Sequence, residues 1–243
     1  MTRLRLILAL ALLVAGAPLA KGQSADGPRF EVASVLAHTD DGTNNSGFTD
    51  NPNQVRIGNM SLRALIRLAY GVLDAQLQGP GWLDNTSFDI VAKPPAGYES
   101  RQLPALLRSL LAERFRMVTH RERTEVSGYA LRVIKGGRGP AVSTERTFLT
   151  ARAGLISGKG RSIAELVGIL AQNVGAPVVD QTGLTGTFDL QIKWTPLSAQ
   201  TPTDADVSLF AALREQAGLR LDPLPVPVDV VVVDSIDRVP SPN

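Results

Sequence analysis

The chain has 243 residues, 44% of them apolar, with 25 basic and 23 acidic side chains and no cysteine. Disulfide staples and thiolate metal sites are therefore excluded, and burial alone must hold a fold together. The length suffices for one large core or two small ones.

Residues 1–22 place Arg3 and Arg5 before an apolar run at 6–14 and a small-residue exit, Ala20-Lys21-Gly22. This predicts a secretory signal peptide cut before Gln23, because the apolar run falls short of the roughly 20 residues of a membrane span. The leader holds Arg3, Arg5 and Lys21 and no acid, so the remainder carries 22 basic and 23 acidic residues. The basic excess that marks a nucleic-acid partner is lost with the leader. We expect an exported protein, periplasmic or extracellular, with no nucleic-acid partner and no transmembrane helix in the mature chain.

Residues 30–36 alternate in the manner of a strand, residues 40–53 are crowded with Asp, Asn, Gly and Thr and read as a loop, and 54–59 read as a short strand. Ser61 then caps a helix with Leu62, Leu65, Ile66 and Ala69 on one face and Gly71 at its end. Arg63 and Arg67 fall on its other side as a solvated pair. Gly79-Pro80-Gly81-Trp82 is a turn before a strand at 87–93. A Pro-rich break precedes a helix over 99–114 with Leu103, Leu106, Leu107, Leu110 and Leu111 inward. Two strands, 116–125 and 129–135, are expected to turn at Ser127-Gly128.

Residues 136–144 are the expected boundary, and the order then recurs. A weak strand near Leu155 and Ile156 leads to a helix over 162–174 stopped by Gly175. Strands at 177–180 and 187–194 follow, then an exposed linker at 195–206. Ser208 caps a last helix with Leu209, Ala212, Leu213 and Ala217 inward and Gly218 at its end. Residues 226–236 are the most apolar strand, with Pro225 and Pro227 expected to keep its start out of any ladder. Phe88-Asp89-Ile90, 27 positions after the capping Ser61, matches Phe188-Asp189-Leu190, 26 positions after Ser162. The fold class predicted is α+β, an internally duplicated strand-helix-strand-strand-helix-strand-strand unit with helices on mostly antiparallel sheet. The units are residues 23–143 and 144–243.

Chemistry is sparse in the sequence. Only His38 and His120 could serve as histidine bases, and no Gly-x-Ser-x-Gly elbow accompanies them. His120 and Glu122 are two ligands and no more, too few for a metal site. Residues 154–162 depart from a phosphate-loop spacing and read as a turn before a capped helix, with an anion cradle as the lesser reading. Asp180-Gln181-Thr182-Gly183 departs from an aspartic-protease signature and reads as a tight connection using Gly183 and Gly186. Trp82 and Trp194 suit core packing better than an exposed anchor. No catalytic, cofactor-binding or metal-binding residues are assigned.

The runs SLRALIRLAYG at 61–71, GPGWL at 79–83, FDIVAK at 88–93, LLAERFRMVTHRE at 110–122, YALRVIKGG at 129–137, PVVDQTGLTGTFDL at 177–190 and LFAALREQAGLRL at 209–221 resemble the soil-associated protein family. That is a large paralogous family of uncharacterised exported proteins abundant in acidobacteria. It usually carries Pro-Lys-Leu after Lys-Gly-Gly, where this chain has Arg138-Gly139-Pro140. The resemblance brings no catalytic or binding residues. Related domains fused behind BlaR-type membrane metallopeptidases imply extracytoplasmic sensing or interaction. The capped-helix-then-strand unit is also similar to the short N-terminal docking domain of secretins and TonB-dependent receptors. The function expected is a non-enzymatic protein-interaction or sensing module with an envelope protein as partner, docking by strand addition. The alternatives are a small-ligand binder with its site between the repeats, or a hydrolase with an unrecognised site.

Overall fold

The computed structural model of the protein describes residues 27–39, 47–137, 139–196 and 207–242. The expected signal peptide and all but the first two residues of the expected linker lie outside the described residues. In chain order the elements are β1 (Val32–Ala37), β2 (Phe48–Asn51), β3 (Gln54–Ser61), α1 (Leu62–Tyr70), β4 (Leu77–Gln78), β5 (Ser87–Lys93), α2 (Leu103–Arg114), β6 (Val118–Val133), β7 (Thr150–Arg152), β8 (Leu155–Arg161), α3 (Ile163–Val174), β9 (Val178–Asp180), β10 (Phe188–Lys193), α4 (Leu209–Ala217) and β11 (Leu219–Ser235). The class is α+β, as the patterning requires.

Local chemistry sets three of the helices. Ser61, Ser162 and Ser208 each accept an N–H of the first turn, from Ala64, Glu165 and Ala211. Gly71, Gly175 and Gly218 end them at φ of 63°, 66° and 62°, a left-handed conformation that glycine takes without steric cost. The apolar stripes of α1 and α4 are buried at all four predicted positions.

Three sheets result, with strand orders β1-β5-β3-β2, β10-β8-β7 and β4-β11-β6-β9. All pairings are antiparallel except β4 on β11 and β9 on β6. The first sheet lays Val55, Ile57, Phe88 and Ile90 against α1 and α2, where the Phe88 and Phe115 rings meet edge-on at 4.8 Å. The second lays Ile156, Leu190 and Ile192 against α3 and α4. The two cores exchange strand ends through the third sheet. Val231 and Val233 of β11 enter the first core, and Leu131 of β6 enters the second. Each core thus takes a strand end from the other half of the chain.

The strand pair β6–β11 departs from expectation. Residues 118–133 form one 16-residue strand with no turn at Ser127-Gly128, paired from Val118↔Ser235 to Val133↔Leu219. Gly128 serves close approach instead: a Cβ there would lie 2.6 Å from the Pro177 carbonyl oxygen and 2.8 Å from a Val226 methyl. The lead-in to β9 crosses at this point, and the Pro177 oxygen accepts the Tyr129 N–H at 2.9 Å. Pro225 and Pro227, expected outside the ladder, are inside it, for the reason given below.

Two smaller corrections concern polar residues. Within the expected loop at 40–53, residues 48–51 pair with β3 as a hairpin, whose turn is tied by the Asn51 side chain accepting from Asn53 and Gln54 N–H. Arg63 is not solvated: its side chain is 17% exposed and bonds Asp84 at 3.0 Å and the Leu77 carbonyl at 3.1 Å. It ties α1 to the connection that leads into β5.

Candidate functional site

The geometry of β6–β11 follows from one phase. The Tyr129 N–H points away from β11, toward Pro177. In an antiparallel ladder without a bulge, backbone groups alternate toward and away from the partner, so the odd residues of β6 and the odd residues paired with them on β11 all face outward. The register is unbroken from Leu219↔Val133 to Val233↔Thr119. The outward positions of β11 therefore include Pro223, Pro225 and Pro227, three residues without an N–H. A proline at such a position removes no ladder hydrogen bond, which is why all three fit inside the strand.

The two outer edges of this ribbon consequently differ. On β11 the prolines leave only carbonyls, and the next outward carbonyl, on Asp229, accepts the Gln76 side chain at 3.3 Å. On β6 the outward residues Arg121, Arg123, Glu125 and Ser127 retain both N–H and C=O. β9 covers β6 only at Tyr129, Ala130 and Leu131. Among the described residues nothing else pairs with this edge, and these four residues are exposed. An unpaired, exposed strand edge is a template for another strand unless it is blocked. One edge here is blocked and the other is open.

The side chains along the open edge are charged. His120 bonds Asp234 through Nδ1 at 2.8 Å and is half exposed, a surface histidine on a carboxylate. Its Nε2 lies 3.9 Å from Glu122. Arg123 stands 3.7 Å from Asp229, while Arg121 makes no ion pair among the described residues. His38 lies far along the chain on the first sheet and bonds Asp89 at 3.0 Å. The two histidines share no site.

The remaining sequence candidates resolve into structure. The expected anion loop is the β7–β8 turn and strand β8. The α3 N-terminus beyond it is already filled by Glu165, whose carboxylate accepts from Ser162 N–H at 2.9 Å. That Ser162 N–H, with Arg161 and Arg146 nearby, holds Glu165 below the usual carboxylate range. Asp180 caps its own turn, accepting from the Thr182 N–H and hydroxyl at 2.8 and 2.7 Å. Trp82 and Trp194 pack partly buried on the first and second cores, with the Arg238 guanidinium 4.9 Å over the Trp82 ring. Sequence reasoning missed the edge itself. The signal for half of it was present, since prolines at i, i+2 and i+4 mark one side of a strand.

The fold is α+β, and among the described residues the outer edge of β6 is paired only where β9 meets it. The chain belongs to a family of proteins of unknown function, DUF3738, whose model matches residues 63–236. No curated protein and no solved structure matches the chain. No helix among the described residues is long and apolar enough to cross a membrane.

Proposed function

We propose that this protein is a non-enzymatic interaction module that captures an extended segment of a protein partner along the outer edge of β6. The observation that carries this is the contrast within one ribbon: prolines close the outer edge of β11, while Arg121, Arg123, Glu125 and Ser127 leave that of β6 open. Main-chain hydrogen bonds would supply affinity and the alternating side chains would supply selectivity. The unpaired Arg121 and loosely paired Arg123 favour a partner strand with carboxylates opposite them. With the leader expected on residues 1–22, the partner belongs to the cell envelope. The matching element orders β3-α1-β4-β5-α2-β6 and β8-α3-β9-β10-α4-β11 support an origin by duplication of one unit. A ligand site between the halves has less support, because the cavity beside α1 takes only Gln172 from the second half.

A photo-crosslinking amino acid placed at position 125, and separately at 224 so that the three prolines of β11 stay in place, tests the edge in living cells. A saturable adduct is expected at 125 and not at 224. The adduct should vanish in Arg123→Pro, whose outward N–H serves no internal bond, while the melting temperature stays near that of the parent. Equal adducts at both edges, or an adduct that survives Arg123→Pro, would overturn the assignment.

A further inference from the structure

The open stretch of β6 is complementary to itself. Its free outward residues are Arg121, Arg123, Glu125 and Ser127, and the edge closes just beyond them, where the Pro177 oxygen takes the Tyr129 N–H at 2.9 Å. Arg121 and Glu125 make no ion pair among the described residues. Arg123 reaches Asp229 only at 3.7 Å, with both side chains more than half exposed. Across a two-fold axis, each residue of this stretch faces the residue of an antiparallel second copy that lies equally far beyond the axis.

Charge leaves few settings of that axis. Centred on residue 123 it sets Arg123 against Arg123, on 122 it sets Arg121 against Arg123, and on 125 it sets Glu125 against Glu125. Like charges directly opposite one another destabilise a sheet. Centred on Thr124, the axis sets Arg123 against Glu125 twice and Arg121 against Ser127 twice. Glu125 is then also diagonal to Arg121, within reach of its long side chain. Every outward N–H and C=O of the four residues gains a partner. Each Arg123 stands between Asp229 of its own chain and Glu125 of the second copy, so charge alternates across the joint. On the other face Thr124 meets Thr124, a favourable cross-strand pair.

We infer that the strand captured at this edge is β6 of a second copy of this chain, joined antiparallel about a two-fold axis at Thr124. The inference rests on the reading of the β6 edge as the docking surface and names its occupant. The two β6–β11 ribbons become one continuous sheet. Each open edge is consumed in the joint, and the proline-blocked edges of β11 stop further addition, so the assembly closes as a dimer.

The chain has no cysteine, so a single introduced one reports the register. Thr124→Cys should give a disulfide-linked dimer on mild oxidation, because facing residues of a non-hydrogen-bonded pair lie within disulfide reach. Glu122→Cys, which would face Val126, should stay monomeric. Sedimentation of the purified protein should show a monomer–dimer equilibrium within about 1–100 µM, the weak class of a small interface. Arg123→Glu should weaken it about fivefold or more with unchanged melting, and adding Glu125→Arg should restore it. A monomer throughout that range, or equal cross-linking at 122 and 124, would overturn the second copy as occupant. The photo-crosslinker at position 125, used with two differently tagged copies in one cell, separates that result from failure of the docking reading. An adduct carrying both tags is expected. An adduct with another protein alone overturns only the dimer, and no adduct at all overturns the docking edge as well.

Discussion

Asp89 and Asp189 each follow a buried phenylalanine on a strand that packs over two helices, yet their surroundings are opposite. Asp89 accepts from His38 at 3.0 Å and from the Asn59 N–H at 2.8 Å, whereas one oxygen of Asp189 is buried without a partner. The difference lies in the neighbouring strand. In the first half β1 runs along the outer side of β5 from Val32↔Lys93 to Ala37↔Phe88, and His38 follows directly after it. In the second half a single bridge at Val142 stands in that place. The same local triplet is therefore a structural tie in one half and a buried, unpaired acceptor in the other. The ribbon edges repeat the lesson, since two strands locked together in register differ only in whether their outward residues carry an N–H.

The largest way to challenge this comparison is to ask whether the halves are separable. Leu131→Ala removes a β6 side chain from the second core and should cost about 2–5 kcal/mol. Because β6 and β11 thread both cores, denaturation of this variant should remain one transition. Two resolved transitions by circular dichroism and tryptophan fluorescence would mean that the halves stand independently.

A smaller loss is expected at the crossing point. Gly128→Ala places a methyl against the Pro177 oxygen and Val226 and should cost about 1–3 kcal/mol. A melting temperature equal to that of the parent would show that β9 does not pass so closely.

The carboxylates separate next. Burial pulls Asp89 upward, but the Asn59 N–H, the His38 hydrogen bond and the charges of His38 and Arg56 outweigh it and hold its pKa below the usual range. Its folded pKa being depressed, its contribution to stability is complete above the unfolded value near 3.9 and is lost as pH falls through the folded pKa. Asp89→Asn should cost about 1 kcal/mol at pH 7, a modest figure because the side chain is 35% exposed. The gap from the parent should close on acidification below about pH 4. A gap that is constant with pH would mean that the carboxylate charge plays no part.

The smallest effect on stability is expected at the blocked edge. Pro225→Thr restores an outward N–H and should change stability by no more than about 1 kcal/mol. It should also produce concentration-dependent association in light scattering, because a second open edge then exists. A monodisperse variant would show that the prolines are not what keeps that edge closed.

Much of this was legible locally. Caps at Ser61, Ser162 and Ser208 and stops at Gly71, Gly175 and Gly218 place helices through hydrogen bonds that span three or four residues, so a short window contains the whole cause. The ladder was misread because glycine and proline are the residues that signal turns, and their other uses depend on distant neighbours. Gly128 answers to Pro177 and Val226, and Pro225 answers to a register set across the ribbon. Asp189 carried a signal only by its match to Asp89, and nothing local marks an acceptor left without a donor.

By itself the sequence determined the α+β class, the inward faces and the limits of α1, α3 and α4, because periodicity and capping act along the chain at short range, while α2 begins at Leu103 and not at 99. Tertiary structure alone decided that β6 and β11 cross between two cores, that one edge is open and one closed, and that Asp189 faces a cavity. Those outcomes rest on which strand lies beside which, and a pairing between residues about a hundred positions apart leaves no trace in either residue's neighbours.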